Sequence, residues 1–558
     1  MFLEGCGLPY AWADGGDFTI GELGFGTGLN VVAALDLWRR ARPPGARLNI
    51  FSIEAYPLDA ADARRALAQW PEAGEVAEAL AARWPGRARG FHRVDLGEFG
   101  AVLDVAVMDV AQALRDWQGR ADAWFLDGFA PAVNPGMWSE TVLALVAARS
   151  APGARAATYT VAGAVRRGLQ AAGFALERKP GFGRKRERLE ARLGGVREPR
   201  SPAPRVAIIG AGIAGAALAR AFRGQGASAA VFDPAGAGGG ASGNPAALVT
   251  PRLDAGLGAG AGLFAQAFAR AGALYEAEAE AVVIGRGALQ LQTAERDAKR
   301  HATVAGSDLF EPGRLSLLSA EDAAARLGEA APAGLEIRDG LVIEPAALLA
   351  AWLPPVRDAR VAALEQRADG WALLSEAGET LMEADVVCLA AGVDCARLDP
   401  GLSMQPVRGQ ASWAEGVDAP QAAAFGGYVI PTRGGVLFGA THDRDDVDTA
   451  VRADDNARNL AGVAKTLPRL AERLAAVPLQ ARAALRASTR DYMPIAGALG
   501  EAGLFALSGL GSRGFTLAPL LAEHIVALAV GRPSPLPAPL ARLIDPERLT
   551  EHGRRGAV

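Results

Sequence analysis

The segment Arg205–Gly215 (RVAIIGAGIAG) gives the strongest indication of fold in this sequence. Its apolar start predicts a short buried strand, and its glycines have the GxGxxG spacing of a turn that leads into a helix. A second predicted strand, residues 227–232, ends at Asp233, about 20 residues further on. This is the complete dinucleotide fingerprint, in which pyrophosphate lies at the helix N-terminus and Asp233 binds the adenosine ribose. The three glycines are Gly210, Gly212 and Gly215.

Two later segments favour FAD over NAD as the dinucleotide. Residues 384–392 predict an apolar strand that ends in small residues. Residues 504–514 (LFALSGLGSRG) predict another strand and a Gly-rich turn, followed by an apolar helix over residues 515–530. The positive N-terminal end of such a helix can point at a flavin ring. Two ordinary strand–turn–helix units would give the same pattern, so that alternative stays open. The glycines expected near the flavin are Gly392, Gly509 and Gly511.

A different glycine-rich turn follows the predicted strand 18–23 in the first half of the chain. The turn, GFGTG at residues 24–28, precedes a predicted helix over 29–40, and the next predicted strand, 48–53, ends at Glu54. The spacing is not GxGxxG, so a ligand without phosphates, such as S-adenosylmethionine, fits better than a dinucleotide. A carboxylate at a strand end can accept hydrogen bonds from both ribose hydroxyls. A turn without any ligand is the alternative.

The loop 127–138 (DGFAPAVNPGMW) is the most unusual stretch of the first half. It follows a third predicted core strand, residues 123–126. The carboxylate of Asp127 can hold an amine and accept its proton. The rings of Phe129 and Trp138 can stack on a flat base. A structural Pro turn with Trp138 in the core is an equally weighted alternative.

The segment 194–204 carries three prolines and no periodicity, which is typical of a linker. We therefore expect a first domain over 1–193 and a second over 205–558. Alternating strands and helices predict a mostly parallel, doubly wound sheet in each. The first is expected to end in an antiparallel pair, 174–179 and 186–192. The predicted strands of a separate antiparallel substrate domain are 288–292, 427–431 and 436–440.

Composition places the protein in the globular class. Of its 558 residues, 50% are hydrophobic and 22% charged, with a net charge of −4, which argues against a disordered chain or a coiled coil. The 3 Cys form no CxxC pair and the 5 His are scattered, so we expect neither a disulfide scaffold nor a metal site. No signal peptide or membrane span is recognisable, so we expect a cytoplasmic protein.

The charge is unevenly distributed, because residues 151–200 hold 12 basic and 4 acidic residues, a net charge of +8. Such a local excess can neutralise phosphates on an otherwise acidic protein. Within it, Arg184, Lys185 and Arg186 form the densest cluster and are expected to contact RNA. A solvated surface face is the alternative for a charge run taken alone.

The motifs taken together resemble those of the bifunctional MnmC family, in family order and over nearly the whole chain. The motifs are GELGFGTGLN at 21–30, WFLDGFAPAVNPGMW at 124–138, GFGRKRER at 181–188, the fingerprint at 206–215, GASGN at 240–244, TRDYMPIAG at 489–497 and GLGSRGFTLAPLLAE at 509–523. The resemblance implies a Rossmann-like methyltransferase domain fused to a FAD-binding Rossmann domain. The latter would carry an α+β antiparallel-sheet substrate domain similar to that of D-amino acid oxidase.

The resemblance also implies a two-step modification of wobble uridine in tRNA. The FAD-dependent half would oxidise the C–N bond of a 5-carboxymethylaminomethyl group, and hydrolysis of the imine would release glyoxylate and leave an aminomethyl group. The first half would then methylate that amine from S-adenosylmethionine. No His follows GASGN, so FAD is expected to be non-covalent.

Site residues follow from the resemblance position by position. Asp127 would position the acceptor amine, with Phe129 and Trp138 as walls of the base pocket. Arg513 or Arg490 would pair with the substrate carboxylate, because a planar guanidinium suits it; a structural ion pair is the alternative for either. The residues expected to bind the methyl donor are Glu22, Gly24, Gly26, Gly28, Glu54 and Asp109. Those expected to bind FAD are Gly210, Gly212, Gly215, Asp233, Ser242, Asn244, Gly392, Gly509 and Gly511.

Two departures and two alternatives complete the expectations. The family pattern has a longer leader before the first motif, and a glycine and a tyrosine where this chain has residues 245–251, so we expect a different flavin-side pocket. One alternative is a FAD-dependent oxidase of a free secondary amino acid, similar to glycine or sarcosine oxidase, fused to a methyltransferase. The other is a tRNA-binding protein whose first half has lost catalysis.

Overall fold

The computed structural model describes residues 1–13, 15–181, 183, 186–197, 203–278 and 281–549. The chain divides into two compact units. The first unit comprises Met1–Pro202 and Arg532–Ala538, and the second comprises Ala203–Gly531 and Pro539–Val558. Within the described residues, no helix is both long enough and apolar enough to cross a membrane.

The first unit alternates strands and helices. Its strands are β1 (Phe18–Leu23), β2 (Leu48–Ile53), β3 (Gly90–Leu96), β4 (Ala101–Val107), β5 (Ala121–Leu126), β6 (Ser150–Thr158), β7 (Phe174–Pro180) and β8 (Glu187–Leu193). Its helices are α1 (Phe2–Gly5), α2 (Leu29–Ala41), α3 (Ala60–Leu67), α4 (Gly74–Ala81), α5 (Val110–Asp116), α6 (Glu140–Ala148) and α7 (Gly163–Ala171).

The described strands of this unit form one sheet in the order β3-β4-β2-β1-β5-β6-β8-β7. Strands β4, β2, β1, β5 and β6 are parallel neighbours. Strand β1 is buried along its whole length, as expected for a central strand covered on both faces. The chain leaves β1 toward β2 on one side and reaches β5 on the other. The residues after β1, β2 and β5 therefore meet at one edge of the sheet, where ligands of open α/β sheets bind.

Most local predictions for the first unit are confirmed. Strands β1 and β2 have the predicted bounds, and β7 and β8 form the predicted antiparallel pair, with Phe174 opposite Leu193. The antiparallel hairpin of β3 and β4 was not predicted. Its residues alternate only weakly between polar and apolar, because β4 is almost fully buried.

Residues 532–538 pack within the first unit, although they lie near the other end of the chain. The Arg532 guanidinium pairs with Asp17. The carbonyl oxygens of Pro533 and Leu536 accept hydrogen bonds from Arg93 (3.2 Å) and Gln118 (2.9 Å). The second structural unit is therefore interrupted in sequence, unlike the continuous second domain 205–558 expected from sequence.

The second unit contains the remaining elements. Its strands are β9 (Val206–Ile209), β10 (Ala229–Phe232), β11 (Ala247–Val249), β12 (Val283–Leu291), β13 (Leu315–Leu318), β14 (Gly334–Ile343), β15 (Val356–Arg357), β16 (Ala363–Arg367), β17 (Gly370–Leu374), β18 (Thr380–Ala384), β19 (Val386–Leu389), β20 (Gln405–Glu415), β21 (Ala422–Ala424), β22 (Tyr428–Pro431), β23 (Gly435–Gly439), β24 (Asp443–Arg444), β25 (Gln480–Ser488), β26 (Ile495–Ala498) and β27 (Leu504–Ser508). Its helices are α8 (Ile213–Gly224), α9 (Ala259–Ala277), α10 (Arg296–Ala305), α11 (Ala320–Leu327), α12 (Pro345–Trp352), α13 (Cys395–Leu398), α14 (Ala453–Ala464), α15 (Pro468–Ala475), α16 (Gly514–Ala529) and α17 (Ala538–Ile544), the last of which begins at the boundary with the first unit.

The described strands of this unit form three sheets. The first, in the order β15-β10-β9-β19-β27-β26, is parallel except for β26. The second is mixed, and most of its neighbours, such as β20 with β25, are antiparallel. The third is a small antiparallel sheet of β16, β17 and β18. The predicted fold class, a Rossmann domain with an antiparallel-sheet substrate domain, is confirmed.

Buried charges hold the late helix α16 in place. Glu523 on α16 accepts hydrogen bonds from Arg270 on α9 (2.6 and 2.9 Å) and from Arg220 on α8 (3.1 Å). The side chains of Glu523 and Arg270 are only 7% and 6% exposed. Because each buried charge needs its partner, the three helices keep one arrangement.

We expect that Arg93→Ala destabilises the first unit by about 3–5 kcal/mol, because the substitution leaves the buried carboxylate of Asp104 without its partner. Both side chains are 5% exposed and form two hydrogen bonds of 2.7 and 2.8 Å. The measurement is the midpoint of unfolding followed by Trp fluorescence. The matched control is Arg83→Ala, whose partner Glu98 is exposed, with an expected loss of about 0–1 kcal/mol. Equal shifts for the two variants would contradict this assignment.

Candidate functional site

The turn after β1 is the first part of a site in the first unit. Gly24, Gly26 and Gly28 all have positive φ angles, of 91, 53 and 73°. A Cβ atom at Gly24 would lie 3.2 Å from the Cα of Gly128, so this position needs glycine for space as well as for conformation. Gly28 precedes the first residue of helix α2. The turn thus presents bare backbone at the edge of the sheet.

Glu54, directly after β2, lies against this turn. Its Oε2 accepts a hydrogen bond from the Gly26 amide (3.1 Å), and its Oε1 accepts one from the Tyr56 amide (3.0 Å). Each carboxylate oxygen has a second lone pair, so Glu54 can still accept from ribose hydroxyls. Asp109 is exposed and accepts from the amides of Ala111 and Gln112 at the start of α5. The structure gives Asp109 a helix-capping role, and its contact with adenine stays a prediction.

Three further polar side chains meet beside the turn. Asp127, directly after β5, accepts a hydrogen bond from Asn30 Nδ2 (2.9 Å) and one from the Gly128 amide (2.8 Å). Burial raises the pKa of Asp127 above its ordinary value. Glu22, on β1, is fully buried and accepts from Ser52 Oγ at 2.5 Å. Burial, with a smaller contribution from the neighbouring carboxylates, raises the pKa of Glu22 to about 8.

The loop after Asp127 is braced from below by aromatic side chains. Trp138 is only 5% exposed, and its Nε1 donates to the carbonyl oxygen of Phe129 (2.8 Å). Tyr159 donates to the carbonyl oxygen of Gly128 (2.8 Å), and its ring meets that of Trp138 edge to face. The side chain of Phe129 is 71% exposed and remains available for a base. The placement of Trp138 matches the core alternative that the sequence left open.

These residues fit S-adenosylmethionine. The glycine turn leaves room for a nucleoside beside backbone, and Glu54 supplies acceptors at the strand end. Asp127 adds a carboxylate on the same edge. The predicted donor residues Glu22, Gly24, Gly26, Gly28 and Glu54 are thus brought together with the predicted base.

The basic segment 151–200 is partly neutralised by ion pairs. Arg188 pairs with Glu4 (2.9 Å) and Glu190 (2.8 Å) and is largely buried. Arg178 and Lys179 have acidic partners as well. Arg186 is exposed next to strand β8, whereas Arg184 and Lys185 lie outside the described residues. RNA contact by this cluster stays a prediction.

The fingerprint turn in the second unit has the geometry of a dinucleotide site. A Cβ atom at Gly215 would lie 1.9 Å from the carbonyl oxygen of Gly210, so the helix can approach the strand only because this residue is glycine. Asp233 accepts hydrogen bonds from the amides of Ala211 (2.8 Å) and Ala235 (2.9 Å). These contacts hold the acid at the end of β10, where the ribose is expected.

A cavity of about 1360 Å³ extends from this turn. That volume exceeds the 300–1,000 Å³ of ordinary ligand sites, as expected for a dinucleotide with a substrate. At its far end lie Arg486 and Arg513. The predicted FAD residues that line the cavity are Gly210, Gly212, Asp233, Ser242, Asn244, Gly392, Gly509 and Gly511. The lining therefore fits FAD, with Gly215 acting through packing.

The predicted carboxylate-binding arginines occupy different places. Arg513 lines the cavity, and its Nη1 donates to the carbonyl oxygen (2.9 Å) and the hydroxyl (3.1 Å) of Thr250. Burial lowers the pKa of Arg513 to about 10. Arg490 is exposed and is not among the described residues that line the cavity.

The sequence analysis missed Arg486, which the sheet directs into the cavity. On β25, Arg486 pairs with Val407, two residues before Gly409 on β20. A Cβ atom at Gly409 would lie 2.2 Å from the guanidinium, so Gly409 makes room for it. Burial lowers the pKa of Arg486, and Tyr428 lines the cavity beside it. The alternation of β25 (QARAALRAS) carried the signal, but the neighbouring strands are distant in sequence.

Arg482, four residues before Arg486 on β25, fixes the glycine loop of the cofactor end. Its Nη2 donates to the carbonyl oxygens of Gly238 (3.2 Å), Gly239 (2.8 Å) and Gly240 (2.6 Å). The same loop continues to Ser242, whose Oγ accepts from the Ile213 amide at the start of α8 (3.0 Å). One guanidinium therefore connects the substrate sheet to the FAD loop.

Comparison with known proteins agrees with both sites. Residues 71–194 match a family model described as S-adenosyl-L-methionine-dependent methyltransferase, and residues 205–528 match one described as FAD dependent oxidoreductase. The chain is 58% identical to the tRNA 5-methylaminomethyl-2-thiouridine biosynthesis bifunctional protein MnmC of Caulobacter sp. (strain K31), covering 100% of this chain and 94% of that protein. It is 60% identical to the protein of the same name from Caulobacter vibrioides, with 98% and 91% covered.

Solved structures resemble the second unit in fold. Iminodiacetate oxidase from Chelativorans sp. BNC1 superimposes with a TM-score of 0.52 at 23% identity, covering 59% of this chain and 96% of the oxidase. Glycine oxidase from Geobacillus kaustophilus gives 0.51 at 24% identity, covering 60% and 96%.

We expect that Arg482→Met weakens FAD binding by at least about tenfold, because a hydrogen bond from a charged donor contributes about 1.5–3 kcal/mol. The dissociation constant is measured by the quenching of flavin fluorescence on titration of the apoprotein. Arg482→Lys keeps the charge but cannot span three carbonyls, so an intermediate value is expected. The control is Arg473→Met on the exposed face of α15. Unchanged affinity in both Arg482 variants would refute the loop assignment.

Proposed function

The chain belongs to the MnmC family of bifunctional proteins, and from this membership we propose that it completes the 5-methylaminomethyl group on wobble uridine of tRNA. The observation that carries the proposal is a full-length match at 58–60% identity to relatives of that function, in a chain with both sites intact. FAD, when bound, takes up the electron pair of the substrate C–N bond, and S-adenosylmethionine supplies the methyl group.

The oxidative step acts on the 5-carboxymethylaminomethyl group. The buried guanidinium groups of Arg486 and Arg513 line the cavity, where their burial favours an anionic ligand. The substrate carboxylate supplies that anion. We assign Arg486 as its principal partner, because Arg513 already donates to Thr250. Oxidation to the imine and hydrolysis release glyoxylate and leave 5-aminomethyluridine, with or without a 2-thio group.

The methylation step uses the first unit. The amine must be neutral to attack, and the new N–C bond leaves it with one proton to lose. Asp127 accepts that proton, with Phe129 against the base. Because the pKa of Asp127 is raised, its carboxylate is lost already at mildly acidic pH, and methylation should fall as the pH falls through that pKa. FAD is held non-covalently, no metal takes part, and the protein works in the cytoplasm, where its tRNA substrate is found.

The direct test is mass spectrometry of the wobble nucleoside. Purified protein loaded with FAD is incubated with tRNA carrying 5-carboxymethylaminomethyluridine, with and without S-adenosylmethionine. We expect aminomethyluridine without the methyl donor and methylaminomethyluridine with it. Oxidation of free glycine or sarcosine with untouched tRNA would instead establish the free amino acid oxidase. Bound tRNA that yields aminomethyluridine in both samples would show that the methyltransferase has lost catalysis.

Asp127→Asn separates the two activities. The amide cannot accept the proton, so we expect methylation to fall by about 10²–10⁴-fold, the usual range for a general base. The oxidation of the same tRNA should stay within twofold of the unsubstituted enzyme, because the substitution lies in the other unit. Retained methylation would remove Asp127 from the mechanism.

Arg486→Met tests the carboxylate partner. Loss of a charged hydrogen-bond partner to a buried carboxylate should raise KM for the tRNA by about tenfold or more, with FAD still bound. We expect Arg513→Met to give a smaller rise. Arg473→Met, exposed on α15, is the control. A larger effect at Arg513 would reverse the assignment.

A further inference from the structure

Asp127 lies at one end of a buried polar chain that starts in the neighbouring strand. Ser52 Oγ on β2 donates to Glu22 Oε2 on β1 at 2.5 Å. The Asn30 side chain, on α2, faces Glu22 and donates through Nδ2 to Asp127 Oδ2 at 2.9 Å. Four side chains from three elements and one loop therefore connect the core of the sheet to the residue that receives the amine proton.

The charges around Glu22 are all of one sign. Glu22 has 0% exposure, and the titratable groups that act on it are Asp127 and Glu54, both carboxyl groups at neighbouring strand ends. No cation among the described residues is placed against it. Tyr159, beside Asp127, is a further group whose charged form would be negative. Three carboxylates in this space would repel one another, and the buried one is the least able to hold a charge.

The orientation of Asn30 is informative about the state of Glu22. A side-chain amide has one accepting oxygen and one donating nitrogen. An ionised Glu22 would compete with Asp127 for the nitrogen. A neutral Glu22 can donate to the Asn30 oxygen, which leaves the nitrogen for Asp127, where it is found.

We propose that Glu22 is a positioning residue for methyl transfer: as a neutral acid between Ser52 and Asn30, it fixes the amide that holds Asp127 and leaves Asp127 as the acceptor of the amine proton. This inference rests on the proposed methyltransferase function. In the step concerned, the amine nitrogen bonds the methyl carbon, the methyl–sulfur bond breaks with its electrons on sulfur, and the surplus N–H proton passes to Asp127. Glu22 keeps its own proton throughout.

The test compares Glu22→Gln with the unsubstituted enzyme. Gln mimics the neutral acid, since it accepts from Ser52 and donates to Asn30. We expect kcat for methylation within twofold at pH 7 and an unchanged dissociation constant for S-adenosylmethionine. Above pH 8, where Glu22 ionises, the ratio of the Gln variant rate to the unsubstituted rate should rise, to about threefold or more at pH 9. Because the substrate amine titrates equally in both proteins, the ratio isolates Glu22.

A second variant and a control complete the design. Asn30→Ala removes the donor to Asp127 and should lower kcat about tenfold without weakening S-adenosylmethionine binding. Glu75→Gln, 77% exposed on α4, should give a pH-independent ratio of one. The oxidase activity of each variant shows that the protein is folded and loaded with FAD.

The outcomes separate the relay from the function it serves. A Glu22→Gln variant that loses tenfold or more at pH 7, or whose ratio does not change with pH, overturns the relay while methylation by the unsubstituted enzyme upholds the proposed function. An unsubstituted enzyme without methylation overturns the proposed function. In that case infrared difference spectra against Glu22→Gln still decide the relay: the carbonyl band of a protonated carboxyl group at pH 7 supports it, and its absence refutes it.

Discussion

One close backbone contact, between Gly215 in helix α8 and the carbonyl oxygen of Gly210 after β9, determines the cofactor end of the second unit. A side chain at Gly215 would place its Cβ 1.9 Å from that oxygen. The helix therefore reaches this position only with glycine, and its N-terminus then stands where Ser242 can accept from the Ile213 amide. The contact converts a sequence spacing into a site that can receive a pyrophosphate. The glycine loop held by Arg482 closes the same site from the other side.

The two units solve opposite electrostatic problems with buried groups. In the second unit, buried guanidinium groups face a cavity and have burial-lowered pKa values, so an anionic ligand stabilises their charged form. In the first unit, carboxyl groups gather at strand ends and have raised pKa values, so the site favours proton uptake. A carboxylate-bearing amine fits the former, and an amine that must lose a proton fits the latter. The product of one chemistry is thus the substrate of the other.

Local sequence patterns were sufficient for the elements that frame both sites. The strand bounds of β1 and β2, and the helix after the turn at 24–28, could be predicted because burial, periodicity and glycine spacing are all local. The positions of Glu54, Asp127 and Asp233 followed from the rule that parallel strands end at one edge. Arg486 could not be found this way, because its direction depends on the pairing of β25 with β20, some 70–80 residues earlier in the chain.

The sequence by itself determined two nucleotide-binding halves, their strand order near the glycine turns, and the acids at the strand ends. Only the tertiary structure decided which charges meet. It placed Arg486 and Arg513 in the cavity and Arg490 outside it, and it buried Trp138 beneath the loop it was expected to line. It also joined residues 532–538 to the first unit. Such contacts arise between segments far apart in the chain, and their free energy depends on burial and partner geometry, which no local pattern encodes.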